Sequence, residues 1–458
     1  MPGLFQGIST MNGALRAFQR ALNVTGNNIS NVNTAGYSRQ IAQFTEADPT
    51  TDGGVMIGNG VSASSIARIQ DQFLFMRQIQ ASGENGRLST LNSGLSTVQS
   101  VTNEPAGSGI SDALNAFFNA WSALGSSPND DALRQQVQQA GETLAGRVRG
   151  MYADLQNQAT QTTNQISGTI QQAQSLANQI ASMNKDVLRQ GASAGAPNDL
   201  LDARDQAVQQ LSQIMPVTVQ QHTDGTISLY SGQLTLVDQG TPGTIPTTYD
   251  VASGSLIDGS LTYPVASGSL AGQFQLAQKI AGYQGQLDTL ANTLRTQFNS
   301  IHATGMNQLG ATNQNFFQDV AAGNPQTGAV DFQVDPAIVA DTRAIATGVT
   351  GDAGDGGLAL SMSALRDTAI AALGGKTFGA FYSGIVTGIG QDAADVQTQL
   401  DTSNSVMAQI GQQIQSVSGV SLDEEMSNML RFQRSYQAAA KALSIFDQTT
   451  NDLINMIQ

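Results

Sequence analysis

Two histidines, His222 and His302, are the whole imidazole complement of this chain of 458 residues, and cysteine is absent. Nucleophilic catalysis needs a nucleophile beside a base that a third group orients. With no thiol, and with neither histidine in a recognisable Ser or Asp constellation, that route has nothing to work with. His302 shares a helical face with Phe298 and reads as structural. Asp202 and Asp205 offer a carboxylate pair of the sort that glycoside hydrolysis uses, but an i, i+3 pair on an amphipathic helix is usually a solvated face. The run Gly351-Asp352-Ala353-Gly354-Asp355-Gly356-Gly357 has the composition of calcium-wrapping repeats. It occurs once and lacks the bidentate Glu of a helix-loop-helix site, so it reads as a turn. Trp121, at helical spacing from Phe117 and Phe118, reads as core. The expectation is a chain with no catalytic residue, no cofactor and no metal.

Composition narrows the classes further. Charged residues are 12% of the chain, and Gln, Asn, Ser, Thr, Ala and Gly fill positions that Lys and Glu usually occupy; such faces suit packing against other protein. The net charge of −15 comes with no Lys/Arg cluster, which argues against nucleic acid as a partner. No basic stretch, apolar block and cleavage site open the chain, and no apolar run reaches spanning length. The nearest approach, Ala369 to Gly390, is interrupted by Lys376 and six glycines. Neither a cleavable signal nor membrane insertion is expected. The length calls for two to four domains of roughly 100 to 200 residues each.

The elements follow from hydrophobic periodicity. Leu4, Ile8, Met11, Leu15, Phe18, Leu22, Thr25, Ile29 and Val32 recur at alternating steps of four and three, the spacing of a coiled-coil seam. Near the other end Leu422, Met426, Met429, Gln433, Tyr436, Ala440, Leu443, Phe446, Leu453 and Ile457 keep a similar rhythm, opened by a capping box, Ser421 to Glu424. The amino-terminal segment carries Arg16, Arg20 and Arg39 and no acid, while the carboxy-terminal one is acidic, so their charges agree. Helical stripes fill Ile66 to Ser212 (Leu88, Leu91, Leu95, Val98; Leu133, Val137, Ala140, Leu144, Met151, Leu155; Ile166, Ile170, Ala173, Ala177, Ile180). Gly107-Ser108-Gly109, Ser126 to Asn129 and Gly191 to Pro197 punctuate them. From Val217 the period becomes two, with Asp224-Gly225 as a hairpin turn between Val219 and Ile227. Helix returns at 270–302 and from Leu358 to the end, around an irregular stretch with a candidate strand at Val330 to Val334.

The fold expected is mainly α with β-rich insertions: terminal coiled-coil helices, a long antiparallel helical bundle and a small outer β domain. By residue, 1–45 and 415–458 form the paired terminal helices; 46–212, 270–304 and 358–414 the bundle; 213–269 a β-rich insertion; and 305–357 an irregular or β insertion. A lone amphipathic helix is marginal in water, so both ends are expected to be mobile until their stripes are covered. The pairing surface expected is Leu15, Phe18, Leu22, Ile29 and Val32 against Met426, Met429, Tyr436, Leu443 and Phe446, with Leu430 and Phe432 beside them. The alternative is that these stripes are the core of an ordinary bundle, and that the asparagines and Gly36 simply stop a helix.

Asn27-Asn28-Ile29-Ser30-Asn31-Val32-Asn33-Thr34-Ala35-Gly36-Tyr37, with Ser38-Arg39-Gln40, resembles the amino-terminal signature of bacterial flagellar axial proteins, although Ala35 stands where that family often has proline. Gly419 to Met426 with Leu430 to Ala439 is similar to the matching end motif. Asn198-Asp199-Leu200-Leu201-Asp202-Ala203-Arg204-Asp205, with Glu104-Pro105 ahead of Leu114 to Phe118, resembles the hook-associated protein 1 family. That resemblance implies a structural adaptor at the hook-filament junction, outside the cell, exported through the flagellar type III channel without a cleavable signal. It implies as partners further copies of the chain in a ring, the hook protein, a second junction protein, and a cytoplasmic export chaperone on the carboxy-terminal helix. Assembly residues would include Asn28, Asn31, Gly36 and Tyr37. The other readings are a rod or hook protein of the same axial family, or a secreted rod-like adhesin.

Overall fold

The chain is described from a computed structural model that covers residues 2–52, 55–102, 109–194, 197–319, 328–350, 352 and 354–457. Glu104-Pro105, Gly107-Ser108, Gly351 and Ala353, and the side chains of Leu4 and Ile457, lie outside the described residues. Helix α1 (Pro2–Ser30) leads into four short strands, β1 (Gln40–Glu46), β2 (Thr50–Asp52), β3 (Val55–Ile57) and β4 (Val61–Arg68). Four helices follow, α2 (Gln72–Thr102), α3 (Ile110–Ser126), α4 (Asp131–Ala194) and α5 (Asn198–Ile214). Residues 46, 50–52, 55–57 and 61–68 are therefore strand rather than part of the helical bundle: β1 pairs antiparallel with β4 from Gln40↔Arg68 to Glu46↔Val61. Exposed Ile41, Gln43, Ser62 and Ser64 alternate with the covered Ala42 and Ala63, which fits a half-buried ribbon better than a helix face. The second and third stripes of the long helical region share one helix of 64 residues, α4. Asp71 caps α2 by accepting from Phe73 N and Leu74 N, and Asp130 caps α4 by accepting from Ala132 N.

Strands β5 (Thr218–Gln221), β6 (Ile227–Ser231), β7 (Leu234–Asp238) and β8 (Thr241–Pro242) form one antiparallel sheet, and β9 (Thr248–Asp250), β10 (Ser255–Asp258) and β11 (Leu261–Pro264) another. Gly225, at φ +83°, makes the β5–β6 turn that Asp224-Gly225 announces. Helix α6 (Gly268–His302) precedes β12 (Met306–Asn307), α7 (Pro336–Ala340), β13 (Ala346–Gly348), α8 (Gly357–Ala364), α9 (Phe378–Ser418) and α10 (Leu422–Ile457). Val330 to Val334 is not a strand; only Val334 makes an isolated bridge, to Phe317. Phe332 and Val334 turn into the bundle core with Phe316 and Phe317, and the pairing with that segment is confined to Gln318 N donating to Gln333 O and Asp335 N donating to Phe316 O.

Two hydrophobic cores are strung along the same helices. One joins α2 through Leu88 to Val98, α4 through Val137 to Leu155, α6 from Leu276 on, and α9 through Phe378 to Val396. The other joins Phe75 and Ile79, Ile166 to Ala181, Val208 and Leu211, and Leu270 to Phe274, under the inner faces of β6, β7 and β10. Because α2 and α6 meet the second core first and α4 meets the first, α4 runs antiparallel to both. Side chains pair α2 with α9 from Asn85–Asn404 to Asn92–Gln397, again antiparallel. The segment 305–357 is not independent of the bundle: Phe316 and Phe317 stack with Phe117, Trp121 and Phe298 at centroid distances of 5.1–5.9 Å. His302, fully buried, fixes the same segment, bonding Gln314 O through Nδ1 at 2.6 Å and accepting from Ala346 N through Nε2 at 2.9 Å.

Candidate functional site

Three separate stretches of sequence meet where the chain ends join the bundle. Helix α1 stops in the asparagine signature because its last carbonyls are taken locally: Asn31 N and Asn31 Nδ2 both donate to Asn27 O. Asn31 Oδ1 then accepts from Thr34 Oγ1. Gly36 turns the chain at φ +77°, and a Cβ there would run into Gln206 Nε2, which instead donates to Ala35 O at 2.7 Å. Asn28 is 1% exposed and uses its whole amide. Its Oδ1 accepts from Gln40 N (3.0 Å) and Tyr37 Oη (2.8 Å), and its Nδ2 donates to Gln40 O (2.8 Å) and Glu425 Oε2 (3.1 Å). A helix stop needs none of the last contacts, so the signature does more than end α1.

The second stretch opens α10. Glu425, 2% exposed, receives Arg39 Nε at 2.7 Å, and Glu424 receives Arg39 Nη1 at 2.8 Å. Glu424, expected to reach back as a capping box, is thus engaged by Arg39. The third stretch opens α5. Asp202 accepts from Ser38 N and Ser38 Oγ and pairs with Arg68 at 2.9 Å; Asp205 pairs with the same guanidinium at 2.7 Å. Asp199 accepts from Gln40 Nε2, Asn198 Nδ2 donates to Ile66 O, and Arg204 turns the other way to Asn184 Oδ1 and Gly225 O. Asp202 and Asp205 are therefore a buried clamp on β4 and the signature loop, not a solvated face. Burial, reinforced by the charges of Asp199, Asp202 and Glu425, pushes the Tyr37 phenol up to about 12, so it stays a donor to Asn28.

Along the helix pair itself the structure separates two kinds of residue. Leu15, Phe18, Leu22 and Ile29 of α1, and Val32 in the turn that follows it, are half-buried, while Ala14, Ala17, Ala21, Val24 and Thr25 are buried. That small face, which a search for large apolar residues passes over, is covered by both α10 and the β1–β4 ribbon, where Arg20 Nη1 donates to Ala63 O at 2.8 Å. In α10, Met429, Phe432, Leu443 and Phe446 are half-buried, but Met426 (58% exposed), Leu430 (55%) and Tyr436 (36%) face outward. The inward stripe runs Glu425, Phe432 and Ala439, one position back from the expected Met426, Gln433 and Ala440, and rejoins the expected stripe at Phe446, while Phe44 of β1 bridges Phe18 and Phe432 at 6.1 and 5.9 Å. Glycine, alanine, asparagine and glutamate share the seam with Phe432 and Phe446, leaving Met426, Leu430 and Tyr436 on the outside.

The residues with chemical potential are otherwise occupied. His222 Nε2 lies 2.8 Å from Ser228 Oγ, which donates to Asp238 at 3.0 Å. Ser228 sits in the middle of that row and is fully buried, so no nucleophile is presented. Asp355 accepts from Val349 N, Thr350 N and Oγ1, and Gly357 N, which closes a turn with its carboxylate. Those amide donors hold the Asp355 carboxyl below its ordinary range. Among the described residues no group of three or more His, Cys, Asp or Glu is placed to hold a metal, and no helix is long and apolar enough to cross a membrane.

Comparison with known proteins joins the same three stretches. Family models match at residues 95–317 (flagellar hook-associated protein FlgK helical domain), 8–37 (flagella basal body rod protein) and 412–456 (flagellar basal body rod FlgEFG protein C-terminal). Flagellar hook-associated protein 1 of Bacillus subtilis is 28% identical, covering 99% of this chain and 99% of that one. That of Escherichia coli is 27% identical, covering 98% and 99%. The solved flagellar hook junction protein FlgK of Burkholderia pseudomallei superposes with a TM-score of 0.64 at 18% identity, covering 75% of this chain and all of that one, which shows the shared fold. With axial-protein ends and an FlgK helical domain between them, the chain is similar along nearly its whole length to the flagellar hook-associated protein 1 (FlgK) family.

Proposed function

We propose that this protein is the structural adaptor between the hook and the filament of the bacterial flagellum, acting by assembly and carrying out no reaction. The observation that carries the reading is the helix pair α1–α10. It is keyed to the bundle by buried polar contacts, yet it leaves Leu22, Phe18 and Phe446 half-buried and Met426, Leu430, Ile445 and Ile454 exposed. An isolated soluble protein gains nothing from such a surface; a subunit packed among its copies covers it. The ring of identical subunits places the pair on the inside, with the hook protein on one side and a second junction protein on the other. Before export a cytoplasmic chaperone holds the carboxy-terminal helix, and the chain leaves through the flagellar type III channel. A rod or hook role is the second reading, favoured by the rod-protein matches at residues 8–37 and 412–456; the helical-domain match at 95–317 favours the junction.

Electron microscopy of cells lacking this chain, with the spent medium assayed for filament subunits, tests the proposal. Bare hooks with subunits lost to the medium are expected. Absent hooks would move the protein to the rod or hook, and normal filaments would refute a role in the axis.

A further inference from the structure

The two ends of the helix seam report a single register. An added Cβ on Gly7 would lie 2.9 Å from the Phe446 ring, and Asn28 Nδ2 donates to Glu425 at 3.1 Å. Gly7 to Asn28 and Glu425 to Phe446 are both 21 residues, about three heptads, so the helices run antiparallel with no net slip between these contacts. Steps of seven set Ala14 level with Ala439 and Ala21 level with Phe432. The seam thus reads Gly against Phe, Ala against Ala, Ala against Phe, and Asn against Glu. Its apolar levels are permissive: if one helix slid by a heptad, Gly or Ala would still meet Ala or Phe.

The last level is not permissive. Asn28 and Glu425 are 1% and 2% exposed, and each fills the other's bonding capacity together with Tyr37, Gln40 and Arg39. A slip of one heptad sets Asn28 against the Phe432 ring and strips Glu425 of its amide donor. Buried polar groups without partners cost more than imperfect apolar contacts, and one polar level in an apolar seam is the best attested way of fixing register. We infer that Asn28 and Glu425 are the register key of the terminal helix pair, the contact that rejects pairings displaced by one heptad. The inference deepens the proposed assembly role and rests on it only for the key's purpose: subunits stacked in a tube must present their uncovered apolar residues at one height.

Because the chain contains no cysteine, introduced pairs report register without background. In the purified full chain, Ala14→Cys with Ala439→Cys reports the native register, and Ala21→Cys with Ala439→Cys reports the displaced one. Under mild oxidation the native pair is expected to close on the order of tenfold more than the displaced pair, and Asn28→Leu with Glu425→Leu to bring that ratio near unity. The exchange Asn28→Asp with Glu425→Gln keeps a hydrogen bond between the two positions while giving up the one to Gln40 O, and is expected still to favour the native pair, which covers the case of a leucine variant that does not fold. An unchanged ratio in the leucine variant, equal slippage in the exchange variant, or closure of neither pair in the parent would overturn the key. Failure of the junction role shows elsewhere, as normal filaments on cells lacking the chain, and leaves these ratios untouched.

Discussion

Asp202 concentrates the interactions by which the signature loop is held. It receives two bonds from Ser38 and one from Arg68 while 7% exposed. Removing one partner of a buried charge cluster leaves the other desolvated and unpaired, at a cost of about 3 to 5 kcal/mol, more than a surface pair would lose. Asp205 still faces Arg68, so Asp202→Ala is expected at the lower end, about 3 kcal/mol, read as a shift in the denaturant midpoint. A loss under about 0.5 kcal/mol would mean that the carboxylate is solvated after all. An i, i+3 acidic pair carries no mark of burial in the sequence; its partner Arg68 is 134 residues away from Asp202. Asn28 was different, since its place in a polar signature singled it out, while its four bonds appeared only when Gln40, Tyr37 and Glu425 were brought around it.

At the scale of elements, α6 and the segment 305–357 are tied by His302. Burial pushes this imidazole down to about 4 from its ordinary value of about 6.5. The unfolded chain therefore takes up a proton below about pH 6.5 that the folded chain refuses until about pH 4. The stabilisation is complete above the upper value and is lost as the pH falls between the two, on the order of 3 kcal/mol in all. Unfolding midpoints between about pH 5 and 7, above the range of most carboxylates, are expected to fall with acid in the native protein and to flatten in His302→Gln; equal slopes would assign the proton elsewhere. The elements themselves were largely legible. Leu88 to Val98, Leu144 to Leu155 and Ile166 to Ile180 are all buried where their helical spacing puts them, apart from edges such as Leu133 and Ala140 that are only partly covered. Residues 46–68 were misread because short strands between helices carry too few turns of any period to declare themselves.

The whole molecule is two cores threaded by shared helices, with the chain ends closing beside them. Leu22, half-buried on α1, belongs to the surface left for neighbours. Leu22→Asp is expected to abolish incorporation into flagella while the melting of the bundle stays within a few degrees of the parent, measured by microscopy and calorimetry; normal incorporation would contradict the surface assigned to it. By itself the sequence determined the helical class, the β-rich interruption after Val217, the absence of a thiol and the family signatures at both ends, because each depends on residue type and local spacing. Tertiary structure decided which face of α10 turns inward and that Asp202, Arg39 and Glu425 meet. Apolarity marks the residues that leave water somewhere, but whether they do so within the chain or against another copy depends on what the fold places opposite them. In α10 the place opposite went to Glu425, Phe432 and Ala439, and the stripe with Met426 and Tyr436 was left facing out.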